Sequence, residues 1–87
     1  MIIKLKGTQI AAPTGSGTAT NLSKATCVRV HNSGTTSRVV TLEESGGTDI
    51  GTMSIAGGTT EYLEKDPTDQ IFAGHAEILL AAVALKG

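Results

Sequence analysis

Turn-forming residues recur at short, nearly even intervals along this chain, and no other feature constrains its fold more. Clusters that contain glycine or proline lie at residues 32–34, 45–47, 57–58, 66–69 and 74–75. They are separated by about 8 to 12 residues, the interval typical of short antiparallel strands in a sandwich or barrel. Runs rich in Val, Ile and Thr lie between them and favour strands. The spacing predicts an all-β fold, a small antiparallel β-sandwich or barrel of about 7 to 8 strands.

The runs between the turns behave as strands. In the stretch 25–31, Val28 and Val30 alternate with polar residues, which predicts one buried and one exposed face. The sequence Asp-Pro-Thr-Asp at 66–69 is a strong β-turn signal, and it predicts that 59–65 and 70–73 form a hairpin. The segment 76–86 is apolar on both faces and is expected to be a central strand, although its Leu and Ala content also allows a short helix.

The 87 residues are expected to form one domain, because two halves would each be too small for a core. The segment 12–23 is rich in Gly, Ser and Thr and is predicted to be a flexible loop or arm. Cys27 is the single cysteine, and we expect it to be a small buried residue. The apolar run 78–85 is far shorter than a membrane helix, and no signal-peptide pattern is present, so we expect a soluble protein synthesised in a cytoplasm.

Charge is divided unevenly along the chain. Residues 1–42 contain five basic side chains and no acid, whereas residues 43–87 contain eight acids and two lysines. The fold is expected to interleave the halves into one mixed surface. The alternative is two faces of opposite sign, which would favour head-to-tail packing of copies. Basic residues are too scattered for a nucleic-acid footprint, and two aromatic residues are too few for a base-stacking platform.

No catalytic, cofactor-binding or metal-ligating pattern is present in the sequence. The glycine-rich stretch 14–20 lacks the Lys of a phosphate-binding loop and the third glycine of a dinucleotide fingerprint. His31 and His75 have no ligand partners at metal-site spacing. The acidic residues near the turn at 66–69 are expected to form a solvated turn, with a cation site as the weaker alternative. They are Glu61, Glu64, Asp66 and Asp69. We therefore predict that the chain is not an enzyme.

Several short motifs resemble those of small structural proteins encoded by tailed bacteriophages, many of them from marine and cyanobacterial hosts. The motifs are Val28-Arg29-Val30, Asn32 to Gly34, Gly57-Gly58 and Glu64 to Asp69, and the resemblance covers roughly residues 25–86. The resemblance implies a virion component without catalytic residues, cofactor or metal. It also implies a capsid decoration or cement protein that binds at capsid subunit junctions and stabilises the head. The alternatives are a neck or tail ring component, or a carbohydrate-binding adhesive module at the host surface.

The partners expected from this resemblance are the major capsid protein or other virion proteins, with no nucleic acid and no membrane. We also expect a homo-oligomer, either a trimer or a ring, on the capsid surface of the virion. Partner contacts are predicted in the strand 1–6, where apolar and basic groups alternate, and in the segment 12–23. The predicted contact residues are Ile3, Lys4, Leu5, Lys6, Thr14, Ser16 and Thr18.

Overall fold

The computed structural model describes residues 2–86, and nearly every regular element within them is a β-strand. Eight strands and a single turn of 3-10 helix at Ser16–Thr18 occupy this range. The predicted all-β class and strand number are confirmed. The strands are β1 (Ile2–Leu5), β2 (Ile10–Ala11), β3 (Cys27–Asn32), β4 (Arg38–Glu43), β5 (Asp49–Ile55), β6 (Thr60–Glu64), β7 (Gln70–Ala73) and β8 (Ile78–Lys86).

The strands form two antiparallel sheets that pack as a small sandwich. The five-stranded sheet has the order β1-β8-β3-β6, and β2 also pairs with β8. The three-stranded sheet has the order β5-β4-β7. From β3 to β8 the chain changes sheets at every connection except that between β4 and β5. Most loops in this part of the chain therefore run between the two sheets, and neither sheet is built from one continuous stretch of sequence.

The core lies between the sheets and is aliphatic. In β3 the side chains of Val28 and Val30 are fully buried, while those of Cys27, Arg29 and His31 are half-buried, which confirms the predicted alternation. This period of two arises because successive side chains of a strand point to opposite faces. The opposing buried side chains come mainly from the other sheet and from β8: Val40, Ile55, Ile71, Ala73, Ile78 and Leu80.

The turn at 66–69 is present, but the hairpin predicted around it is wrong. The amide of Asp69 donates to the carbonyl of Asp66 at 3.0 Å. However, β6 pairs with β3 and β7 pairs with β4, so this turn carries the chain from one sheet to the other. The hairpin is instead β4–β5, closed by a turn in which Gly47 has a φ of +94°. That φ lies in the region that favours glycine.

The C-terminal segment is a strand, as expected. β8 pairs with β3 over Ile78–Ala82 and with β1 over Val83–Lys86. Over Ile78–Ala82 it is the central strand of its sheet. Over Val83–Lys86 it forms a two-stranded extension with β1. The early residues of β8 bury side chains on both faces, as the apolar pattern of 76–86 predicted.

Asn32, at the end of β3, is a buried polar side chain that ties three parts of the chain together. Its Nδ2 donates to the carbonyls of Thr36 and Ile55, both at 2.8 Å, and its Oδ1 accepts from the amide of Gly34 at 2.9 Å. The side chain is 0% exposed. Because both amide donors and the carbonyl are used, the residue links the β3–β4 loop to the last residue of β5 across the sandwich.

The segment 12–23 lies along the edge of the three-stranded sheet. Thr20 forms an isolated antiparallel bridge with Ile71 of β7, and the amide of Ala73 donates to the carbonyl of Pro13 at 2.9 Å. Ala12 and Leu22 near its two ends are buried in the core. The flexibility assigned to this segment from the sequence stays a prediction. The segment closes in a left-handed turn, since Leu22, Ser23 and Lys24 have φ values of 52°, 55° and 61°.

Candidate interaction surface

The first strand forms an exposed edge of the five-stranded sheet. Within the described residues β1 pairs only with β8, in the register Ile2↔Lys86 to Leu5↔Val83. Because β3 pairs with β8 only up to Ala82, this part of the sheet is a two-stranded extension. The side chains of Ile2 and Leu5 are 69% and 73% exposed. Large apolar side chains at a free sheet edge are a typical starting point for contact with another chain.

Alternation along β1 places both lysines on one face and Ile3 and Leu5 on the other. Residues paired across antiparallel strands project to the same face. Since Val28 is a core residue and pairs with Ala82, the even-numbered positions of β8 and of β1 lie on the core-facing side. Ile2, Lys4 and Lys6 therefore share that side, and Ile3 and Leu5 share the opposite one. Four of the seven contact residues predicted from the sequence, Ile3 to Lys6, thus lie on one edge.

The other three predicted contact residues lie in the segment 12–23, in and just before the 3-10 turn. Ser16 and Thr18 belong to the 3-10 turn and Thr14 precedes it, and all three are exposed. The Ser16 hydroxyl donates to Oε2 of Glu43 at 2.7 Å, and the Thr18 hydroxyl donates to the carbonyl of Gly15 at 3.2 Å. No hydrogen bond within residues 2–86 joins these residues to β1. However, Lys6 lines a surface depression together with Thr20, Leu22 and Ser23, so the two predicted contact regions adjoin at that point.

Glu43 is the ionisable residue most deeply enclosed in the described chain. It is 0% exposed, its Oε2 accepts the hydrogen bond from Ser16, and its Oε1 has no partner. A buried carboxyl oxygen without a partner costs free energy, so the single hydrogen bond from Ser16 matters for the fold. The sequence reasoning missed this pair because Ser16 and Glu43 are 27 residues apart.

The opposite edge of the five-stranded sheet is β6, and it is acidic. Within the described residues β6 pairs only with β3, with Val28↔Leu63, Arg29↔Tyr62 and Val30↔Glu61. Glu61 and Glu64 are exposed, and Tyr62 is half-buried. The sequence reasoning assigned these acids to a solvated turn and did not recognise an edge strand. The strand itself was predicted as part of 59–65, but its position at an edge depends on pairing with β3, which is distant in sequence.

A shallow apolar groove runs beside β6, where the sandwich is open between β6 and β5. Its volume is about 190 Å³. It lies next to the free edge of β6, and Leu63 belongs to both. Ile50, half exposed at its rim, adds to the uncovered apolar surface. The groove is lined by Val40, Leu42, Ile50, Gly51, Thr52, Met53 and Leu63.

Lys65 is a buried lysine at the end of β6. Its Nζ donates to the carbonyls of Asp66 and Pro67 at 3.2 and 3.4 Å. Burial lowers the pKa of Lys65, and the nearby carboxylates of Asp69 and Asp66 oppose that shift. The lysine therefore holds the turn at 66–69 from inside, and its charge faces that turn.

Arg38 and Glu77 form the closest ion pair of the described chain. The Nε of Arg38 donates to Oε2 of Glu77 at 2.6 Å. This hydrogen bond lowers the pKa of Glu77. The side chain of Glu77 also covers Gly34, where any β-carbon would overlap its carboxyl group. The Asn-x-Gly motif at 32–34 therefore has a structural role. Asn32 is a buried hydrogen-bonding residue, and Gly34 leaves space for the carboxyl group of Glu77 in its ion pair with Arg38.

The remaining candidate reactive groups make local contacts. The Nδ1 of His31 lies 2.8 Å from the Thr60 hydroxyl, and the Nδ1 of His75 accepts the amide of Glu77 at 3.0 Å. Cys27 is half-buried rather than buried. Within residues 2–86 no three His, Cys, Asp or Glu side chains are grouped so as to hold a metal ion. No helix among these residues is long and apolar enough to cross a membrane.

Comparison of the chain with protein-family models, with curated proteins and with solved structures gives no match. The class of protein that the fold and surface define is thus a small two-sheet β domain whose five-stranded sheet, within residues 2–86, ends in two edges of opposite charge.

Proposed function

We propose that this chain is a structural protein of a bacteriophage virion, most specifically a capsid decoration or cement protein that binds at capsid subunit junctions and stabilises the head. The phage assignment rests on the motif resemblance in residues 25–86. The mode of action rests on one observation, the exposed edge strand β1 with its apolar and basic side chains.

A free edge strand supports this proposal because its unpaired backbone groups can be satisfied by another chain. Strand addition gives affinity through main-chain hydrogen bonds and selectivity through the alternating side chains. The exposed Ile2 and Leu5 of β1 supply apolar contact, and Lys4 in β1 and Lys6 directly after it select an acidic neighbour. Many such contacts on a shell sum through multivalency, even when each contact is weak.

The first test measures binding to assembled shells of the phage that encodes the chain. The Lys4→Glu variant is expected to bind at least about tenfold more weakly than the wild type, since like charges now face the acidic neighbour. Lys24→Glu is the matched control, because it reverses an exposed lysine outside β1. Equal binding by all three proteins would contradict the proposal. Deleting residues 1–23 is unsuitable, because Ala12 and Leu22 belong to the core.

The second test counts copies of the chain in purified virions by quantitative mass spectrometry. A decoration protein is expected in hundreds of copies per particle. About six to a few dozen copies would instead indicate the ring component of a neck or tail, since rings at a single portal are small closed assemblies. Absence from purified virions would refute the virion assignment.

A further inference from the structure

We infer that copies of this chain join head to tail through their five-stranded sheets, with β1 of one copy adding as a new strand to β6 of the next. The inference rests on the proposed assembly function and names its partner, a second copy of this chain. The observation that leads to it is the opposite charge of the two free edges of the same sheet. Lys4 and Lys6 mark one edge, and Glu61 and Glu64 mark the other.

Strand direction allows the sheet to continue across such a junction. All pairings along β1-β8-β3-β6 are antiparallel, so β1 and β6 run in opposite directions. A neighbouring copy placed by simple translation along the sheet therefore presents its β1 antiparallel to β6. This arrangement keeps the core-facing side of both sheets on the same side, and it lengthens the sheet from one copy to the next.

The backbone hydrogen-bonding groups of the two edges are in phase. The amide of Lys6 donates to the carbonyl of Ala82 in β8, so the backbone N–H and C=O groups of even-numbered residues in β1 point towards β8. Those of Ile3 and Leu5 point away from the sheet. The amide of Lys65 donates to Thr26, so odd-numbered residues continuing β6 turn towards β3. Thr60 and Tyr62 consequently turn outward.

The side chains that would meet at the junction also lie on the same face of the sheet. Tyr62 pairs with Arg29 on the face away from the core, which is also the face of Ile3 and Leu5. Glu61 pairs with Val30 on the core-facing side, which is also the side of Lys4. A hydrogen-bonded junction can therefore form without moving any side chain to the wrong face.

One register satisfies charge and apolar contact together. Lys4 lies opposite Glu61, which pairs a cation with a carboxylate on adjacent strands. Ile2 then lies opposite Leu63 at the apolar groove of about 190 Å³, where its exposed side chain is covered. The register pairs Ile2 with Leu63, Ile3 with Tyr62, Lys4 with Glu61, and Leu5 with Thr60.

A single junction of this kind is small. The strands have four and five residues. The area that they bury is therefore well below the roughly 800 Å² per partner of a standard interface. Each copy nevertheless carries both edges, so a row of copies gains one junction for every copy that is added. A shell surface that concentrates the copies would have the same effect, which links the inference to decoration.

A charge exchange tests the junction with the full-length protein alone, by sedimentation velocity at increasing concentration. The wild type is expected to self-associate, and the Lys4→Glu and Glu61→Lys variants are each expected to associate at least about tenfold more weakly, about 1.4 kcal/mol. An equimolar mixture of the two variants restores association, because each junction between unlike variants again pairs opposite charges. Failure of the mixture to recover, or a wild type that stays monomeric up to about 1 mM, overturns the inference.

Disulfide cross-linking tests the register, in a Cys27→Ser background that removes the single native thiol. A chain with Leu5→Cys and Thr60→Cys is expected to give a ladder of covalent oligomers on oxidation, because facing residues on paired strands lie within disulfide reach. The control chain carries Leu5→Cys and Glu64→Cys, four residues out of register, and is expected to remain largely monomeric. Equal ladders from both chains, or none from the first, would refute the register.

These experiments separate the inference from the proposed function. Cross-linking and charge exchange use no particle, so a negative result there leaves shell binding and copy number unaffected. Conversely, a wild type that forms the predicted junctions but is absent from virions would retain head-to-tail pairing and refute the virion role. A chain that binds shells through β1 while remaining monomeric would place an acidic shell protein, rather than a second copy, on this edge.

Discussion

Replacing Asn32 by Ala is expected to destabilise the domain strongly, by about 3 kcal/mol. The change removes three hydrogen bonds, two donated to the carbonyls of Thr36 and Ile55 and one accepted from Gly34. At about 1 kcal/mol each, their loss costs about 3 kcal/mol. The side chain is 0% exposed, so water cannot readily replace it at the Ile55 carbonyl.

That cost is large for a domain of this size. At about 0.05 to 0.15 kcal/mol per residue, a chain of 87 residues has an unfolding free energy of about 4 to 13 kcal/mol. The predicted loss lowers Tm by about 12 to 24 °C, using about 4 to 8 °C per kcal/mol for small domains. Asn32→Asp is expected to cost at least as much, since it sets carboxyl oxygens against two carbonyl oxygens.

Urea denaturation followed by circular dichroism measures the effect, with the fluorescence of Tyr62 as a second probe in a chain without Trp. Asn21→Ala is the matched control, because the Asn21 side chain accepts one exposed hydrogen bond, from the amide of Lys24. Its expected cost is below about 1 kcal/mol. If Asn32→Ala costs no more than Asn21→Ala, the assignment of Asn32 as the link between the sheets is wrong.

Three further substitutions test other contacts. Ser16→Ala removes the hydrogen bond to buried Glu43 and should lower the free energy of unfolding by about 1 to 3 kcal/mol, measured by thermal denaturation. The control Thr18→Ala should cost under about 0.5 kcal/mol. Equal effects would contradict a structural role for Ser16. Ser23→Gly should stabilise the fold by up to about 1 kcal/mol, because glycine adopts the φ of 55° without strain; a loss of stability in urea would show that the turn is not strained. Because the pKa of Glu77 is lowered in the folded protein, the unfolded chain binds the proton of this carboxyl group more readily. The contribution of Glu77 to the free energy of unfolding is therefore complete above the ordinary glutamate pKa of about 4.3. It is lost as the pH falls through the lower pKa of the folded state. The stability difference between wild type and Glu77→Gln should therefore shrink on acidification, and a difference that is constant from pH 7 to about pH 3 would rule out this coupling.

Local patterns were enough to predict the strands but not their partners. Alternation identified β3, and apolar character on both faces identified β8 as a strand, because these signals depend only on which side of a pleated chain is buried. The turn at 66–69 indicated a reversal of the chain, yet β6 and β7 belong to different sheets. A turn fixes a change of direction, while the choice of sheet depends on packing between residues distant in sequence.

The candidate surface was predictable to a similar degree. Ile3 to Lys6 could be identified as an alternating apolar and basic strand, since that pattern is local. That β1 and β6 are the two edges of one sheet depends on the pairing of β8 with both β1 and β3, which no short motif encodes. The role of Ser16 as the partner of Glu43 was missed for the same reason, because the two residues meet only in the folded chain.

The repeated passage of the chain between the two sheets has a consequence for how the domain unfolds. With β6 and β8 in one sheet and β5 and β7 in the other, neither layer can detach while its neighbour stays intact. The sandwich should melt as a single cooperative unit, with coincident transitions for every spectroscopic probe. Amide protons in β3 and β4, the inner strands of the two layers, should then exchange through one shared global opening event.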